Sequence, residues 1–402
     1  MQNMLYPHNS TFDRFIPNFL VTFPPCHSFY IIMKIIMDGY LDVLKIAILT
    51  FPFVAFLISL PFILIQYHKY GSISSWKVIV LYSFVLYLTC AYFLVILPLP
   101  SLDEVAHLTT PRTQFIPFQF IGEFITHTSF KLFDPQTYLT VLSESYFFVP
   151  IYNILLTLPF GVYIRYYFRY SFKKTVLLTF LLSLFFELTQ LSGLYFIYPR
   201  GYRLFDVDDL ILNTSGGMLG YLLATPLLKI LPDRAKIDAD TREKGKVVSG
   251  FRRTTAFGLD LALYSLLTIP VNICLGWLDN TIFIFVATLI LYFFIIPATI
   301  NGATLGEKFL KLKISSQSEA TNLWQISWRR ILFVILYIAI PRLAIFFITI
   351  LPLGETNTEI IALISLAVLF IFYGFTALKF LFTNKPILYE KLSHTKFSST
   401  IN

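Results

Sequence analysis

Glu187 and Gln190 stand three residues apart in the otherwise apolar run SLFFELTQLSG, so one helix face carries both. The next stretch, PRGYRLFDVDDLILNTSGGMLGY, adds Arg200, Arg203, Asp206, Asp208, Asp209 and Asn213, with Asn213 one turn beyond Asp209 on the same face. Asn153 interrupts a third apolar run, VPIYNILLTLPFG. Three chemistries suit these residue types. Arg200 and Arg203 could clamp a phosphate or carboxylate through paired N–H groups. The carboxylates could hold a divalent cation through oxygen ligands. Glu187, the acid deepest in its run, could donate or accept a proton. No His or Ser nucleophile accompanies the acids, and no residue is assigned a catalytic role. Structural uses compete: Asp206 suits a helix cap, and Asp208 and Asp209 suit the positive end of the same helix. Asn153, Gln190 and Asn213 suit hydrogen bonds between helices, and Gly216 with Gly220 suits close helix packing rather than a phosphate loop, because no GK[ST] follows.

A second set lies further along. Arg253 and Asp260 are seven residues apart, two turns on one helix face. Arg342, after Pro341, falls near the middle of an apolar run, where a guanidinium needs an anionic partner; Asp260 is the candidate. A structural ion pair and an ion pathway both fit. Lys45 and Lys379 lie near the ends of apolar runs and suit snorkelling.

The elements that must position these groups are membrane helices. Of 402 residues, 56% are apolar and only 13% charged, too little charge to cover a soluble protein of this size. Runs of about 20 mostly apolar residues fall at about 39–66, 76–99, 145–168, 172–198, 208–231, 254–277, 280–300, 331–351 and 358–382. The expected fold is therefore all-α, a polytopic transmembrane bundle of about nine spans. One set of loops carries most of the Lys and Arg, from Lys69 and Lys77 through the 229–253 stretch to Lys391 and Lys396. The opposite set holds only Arg14, Lys34, Arg112, Lys131, Arg200 and Arg203. This bias puts the amino terminus outside and the carboxyl terminus in the cytoplasm, and it accounts for the net charge of +8 without nucleic acid. Cys26, Cys90 and Cys274 are far apart and form no CxxC pair, so a zinc or redox site is not expected. The expected organisation is an extracytoplasmic tail at 1–38, an additional span at 39–75, a membrane module at 76–232, a cytoplasmic linker at 233–249 and a second module at 250–397. Within the outer connection 100–144, the piece RTQFIPFQFIGEF is expected along the outer interface.

The ordered pieces RTQFIPF, VPIYNILLTLPFG, SLFFELTQ and RLFDVDDLILNTSGGMLGY make residues 76–232 resemble the VanZ-like family. The resemblance puts Asn153, Pro159, Gly161, Glu187, Gln190, Arg203, Asp206, Asp208, Asp209, Asn213 and Gly217 at motif positions. Residues 250–397 resemble the RDD family through GFRRTTAFGLD, GATLGEKFLKLKI, SWRRIL and YEKLSHTKF, with Arg253 and Asp260 on the named Arg and first Asp and Glu390 at the second. The first resemblance implies lowered susceptibility to teicoplanin-type glycopeptides and the second implies transport or ion exchange; a fusion of the two implies the cytoplasmic membrane of a Gram-positive bacterium. The expected partner is a membrane lipid, an anionic head group or a lipid-linked cell-wall precursor, held in an outward-facing polar pocket, with no cofactor. An enzyme acting on a lipid carrier and a transporter centred on Asp260 and Arg342 are the competing classes.

Overall fold

The computed structural model describes residues 24–142, 144–278, 281–316, 323–336, 340, 355–382 and 387–402. In chain order these form α1 (Pro24–Tyr70), α2 (Ser75–Ile96), α3 (Leu102–Ala106), β1 (Thr113–Gln114), α4 (Gln119–His127), α5 (Gln136–Val141), α6 (Ser145–Tyr166), α7 (Phe172–Leu191), α8 (Gly193–Phe196), β2 (Phe205–Asp206) and α9 (Val207–Ile230). There follow α10 (Arg234–Gly245), α11 (Gly250–Leu275), α12 (Thr281–Ile290), a π-helical turn at Leu291–Ile295, α13 (Ile296–Thr299), α14 (Leu305–Phe309), β3 (Leu312–Ser316), α15 (Leu323–Val334), α16 (Glu355–Phe382), α17 (Leu388–Leu392) and β4 (Thr395–Ser399).

Among the described residues, five helices are long and apolar enough to cross a membrane: Val43–Tyr70, Ser75–Ile96, Ser145–Tyr166, Phe172–Leu191 and Gly250–Leu275. Two shorter apolar helices are Phe283–Thr299 and Leu366–Phe382. The expected run at 208–231 is helical to Ile230 as α9, but its two first-turn aspartates and polar, glycine-rich middle dilute its hydropathy. Most of the run at 331–351, with Pro341 and Arg342, lies outside the described residues, as does the tail before residue 24. The helix that carries the first expected run begins ahead of it, at Pro24, a residue that suits a first helical position. The expected linker holds α10, whose first turn is closed by the Asp233 side chain accepting from the Ala235 amide at 2.9 Å.

The chain divides into two compact units, Met1–Val54 with Tyr82–Leu231 and Ala55–Leu81 with Pro232–Asn402. In the first, α6, α7 and α9 form the centre. Ala91, Leu156 and Phe186 make one buried cluster, and Phe84, Phe160 and Ile164 another. Helices α6 and α9 touch through backbone. A methyl group on Gly161 would collide with the Gly217 carbonyl, one on Gly216 with the Ile154 carbonyl, and one on Gly220 with the Leu158 carbonyl. Small residues are what let two membrane helices approach this closely, where burial against lipid supplies no drive of its own. The parallel pair β1–β2 aligns Gln114 with Asp206.

In the second unit, β3 and β4 run antiparallel, Leu312 opposite Ser399 and Ser316 opposite Thr395. Tyr67, Ala256, Leu310 and Leu312 form its described core cluster. The Lys77 ammonium is buried against the Tyr70 ring and pairs with Asp238 at 2.7 Å. Burial alone would raise the Asp238 carboxyl, but Lys77 and Arg234 outweigh it and hold it below the ordinary carboxylate value.

The glycine contacts make a paired test. Gly220→Ala is expected to destabilise the protein by about 1–3 kcal/mol through overpacking, read as a lowered midpoint of thermal unfolding in detergent. Gly258→Ala, where the added methyl meets nothing within 4 Å, is expected to leave the midpoint unchanged or raise it.

Candidate functional site

In the first unit the singled-out acids and amides gather where α6, α7 and the start of α9 meet. The Asn153 amide donates to Asp209 Oδ1 across the glycine-lined α6–α9 contact. One turn further in, Asn213 donates through Nδ2 to Ser183 Oγ on α7 at 3.0 Å, while its carbonyl accepts from Thr157 Oγ1 at 2.6 Å. Asn213 is 4% exposed and its Oδ1 has no partner, which leaves an open acceptor in the core of this unit. Glu187, 2% exposed, accepts the Asp206 amide at 3.0 Å. Asp206 caps α9 by accepting from the Asp208 amide at 2.8 Å and also accepts from Gln114 Nε2 at 3.2 Å. Burial pushes the Asp206 carboxyl up, and the neighbouring Asp208 and Glu123 charges add to that against the Asp208 hydrogen bond.

Four of the expected pocket residues have other partners. Arg203 spends NH1 on the Val95 carbonyl (2.7 Å) and NH2 on the Leu97 carbonyl (2.9 Å), closing the end of α2. Gln190 donates to the same Val95 carbonyl at 3.0 Å. Arg200 donates to the Leu108 and Thr110 carbonyls, leaving Nε as its open donor. Asp208, 3% exposed, accepts from the Phe118 amide at 2.5 Å and the Phe120 amide at 3.0 Å, and so holds the start of α4. Glu187, Asp206, Asp209, Asn153 and Asn213 therefore form one acid–amide hub. Arg200, Arg203, Gln190 and Asp208 serve the chain segments around it. Among the described residues no group of three or more His, Cys, Asp or Glu is arranged to hold a metal ion. Ser183 and Gln114 were not anticipated, since a Ser in an apolar run and a Gln in a loop carry no signal until the fold pairs them with Asn213 and Asp206.

The second unit holds a separate network around a cavity of about 350 Å³. Arg253 pairs with Glu390 at 3.3 Å. Arg329, unanticipated, pairs with the other oxygen of Glu390 at 2.8 Å and donates to Thr395 Oγ1 at 2.9 Å. Glu390 also accepts the Ile387 amide at 2.9 Å. Burial pushes the adjacent Tyr389 phenol up. Asp260 accepts from Tyr292 OH, Thr304 Oγ1 and the Gly306 amide, each at 2.7 Å. The proposed pairing of Asp260 with Arg342 involves a residue outside the described set. Arg252 is fully buried and ties α11 to the Gly245, Leu310 and Lys311 carbonyls. Neighbouring arginines in GFRRTT and SWRRIL look like loop charge in the sequence; the structure buries them because carbonyls and Glu390 meet their donors.

Glu390→Gln removes the anion shared by two buried guanidinium groups. It is expected to destabilise the protein by about 3–5 kcal/mol, measured by thermal unfolding, whereas exposed Lys391→Ala is expected to have no measurable effect.

Residues 84–229 match the family model described as VanZ/LLP1. No curated protein and no solved structure matches the chain at a significant level. The match encloses the whole acid–amide hub from Asn153 to Asn213, while residues 250–397 lie outside it. Helices able to cross a membrane and this similarity together support a membrane protein with a VanZ-like segment.

Proposed function

We propose that the chain is a VanZ-like protein of the cytoplasmic membrane that holds a lipid-linked cell-wall precursor at the acid–amide hub and thereby lowers susceptibility to teicoplanin-type glycopeptides. One observation carries this reading: three acids and two amides from three helices gather in the part of the chain that matches VanZ/LLP1. Ionisable groups at membrane depth are expensive and concentrate at functional places. The hub is rich in acceptors, including the open Asn213 Oδ1, so it suits the hydroxyl and amide donors of a sugar–peptide group. A purely anionic head group would fit it less well, because Arg200 and Arg203 already bond main-chain carbonyls.

The test is glycopeptide susceptibility in a strain that depends on this gene. Glu187→Gln and Asp209→Asn, at equal membrane abundance, are expected to restore susceptibility, and Arg200→Lys to leave it near the parental level. Unchanged susceptibility in both acid variants would remove the reading.

A second reading, ion exchange by an RDD-like module at 250–397, is favoured by one observation. Asp260 lines the 350 Å³ cavity together with Arg253, Arg329 and Arg330. Proteoliposome ion flux is expected to fall in Asp260→Asn; flux equal to the parent would remove it.

A further inference from the structure

The connection between α2 and α6 leaves one helix long and apolar enough to cross a membrane at Ile96 and enters the next such helix at Ser145. With both helices spanning, the connection begins and ends at the same face of the bilayer. Its central helix, α4, has three sides. Phe120 and Phe124 are half-buried, with Phe124 against Phe130 and Phe147. Gln119, Glu123 and Thr126 recur at helical spacing on a polar side, where Gln119 bonds Glu123 at 2.9 Å. The third side is an exposed ridge: Phe118 is 56% exposed, Ile121 47% and Ile125 70%, continued by Phe115 at 66% and Ile116 at 68%.

We propose that α4 lies in the membrane interface as a lid fastened to the acid–amide hub, with this ridge seated among the lipids of the adjoining leaflet. Exposed apolar surface of this kind marks an interaction site, and the bilayer is the partner that the two flanking spans bring to it. An apolar ridge beside a polar face is the form of a helix lying in the interface plane. Arg112 and Lys131, both exposed, flank the segment and suit lipid phosphates. The fastening is specific. Asp208 accepts the Phe118 and Phe120 amides, and β1 pairs with β2 immediately before Asp208. Phe118 sits at φ +65°, a conformation a bulky side chain rarely adopts, and the hydrogen bond its backbone N–H donates to Asp208 holds it there. The lipid contact does not depend on what the hub binds.

The experiment uses the full chain in phosphatidylglycerol nanodiscs, with the native cysteines replaced and a single environment-sensitive fluorophore at Ile125→Cys or Gln119→Cys. The label at 125 is expected to lose emission to nitroxide lipids and to resist aqueous iodide; the label at 119 is expected to do the reverse. Iodide access at 125 overturns the proposal in favour of a water-facing helix. Protection at 125 from both quenchers overturns it in favour of a protein partner, including a second copy of this chain. Adding Asp208→Asn is expected to increase iodide quenching at 125; no change there overturns the fastening while leaving the lipid contact to be judged by the first pair.

Discussion

An ionised carboxylate or guanidinium taken out of water must find hydrogen-bond partners nearby, because an apolar bundle offers it nothing else. In this chain main-chain groups supply many of the partners, beside side chains such as Tyr292 and Thr304 at Asp260. Glu187 takes the Asp206 amide, Asp208 takes the Phe118 and Phe120 amides, Asp260 takes the Gly306 amide and Glu390 takes the Ile387 amide. The arginines mirror this: Arg200, Arg203, Arg252 and Arg330 donate to carbonyls of segments distant in sequence. Each buried charge therefore fixes a chain connection as well as its own place. Removing one would leave amides or carbonyls unpaired in a poorly hydrated setting, where the desolvation penalty is large.

The glycine-lined contact of α6 and α9 is the second constraint, and it serves the first. Asn153 reaches Asp209, and Thr157 reaches the Asn213 carbonyl, only because the two backbones meet without intervening side chains. Packing and polar chemistry are thus one arrangement. The same residues that let the helices touch set the depth at which the acids and amides converge.

Much of this hub is legible from spacing. Asp209 and Asn213 fall on a shared helix face, and Asp206 reads as a cap, which it is; Gln190 shares a face with Glu187 but reaches the Val95 carbonyl. What spacing cannot give is the partner of a long side chain. Arg203 and Arg200 stand beside the acids in sequence, yet their donors reach carbonyls near Val95 and Leu108. Asp208 looks like a helix-end charge, yet it grips a loop ninety residues earlier in the chain. A two-residue parallel pair such as β1–β2 leaves no periodic trace. In the second unit the periodicity of Arg253 and Asp260 is real, but the guanidinium turns to Glu390, supplied from the far end of the chain.

The central claim is that residues from separate helices are energetically joined in one hub, and the pair Asn153 and Asp209 tests it most directly. A double-mutant cycle would measure thermal unfolding of Asn153→Ala, Asp209→Ala and the combined variant in lipid nanodiscs. A coupling of about 1 kcal/mol or more is the expected result. Strictly additive losses would contradict the hub, since they would mean that the two side chains do not share an interaction in the folded protein.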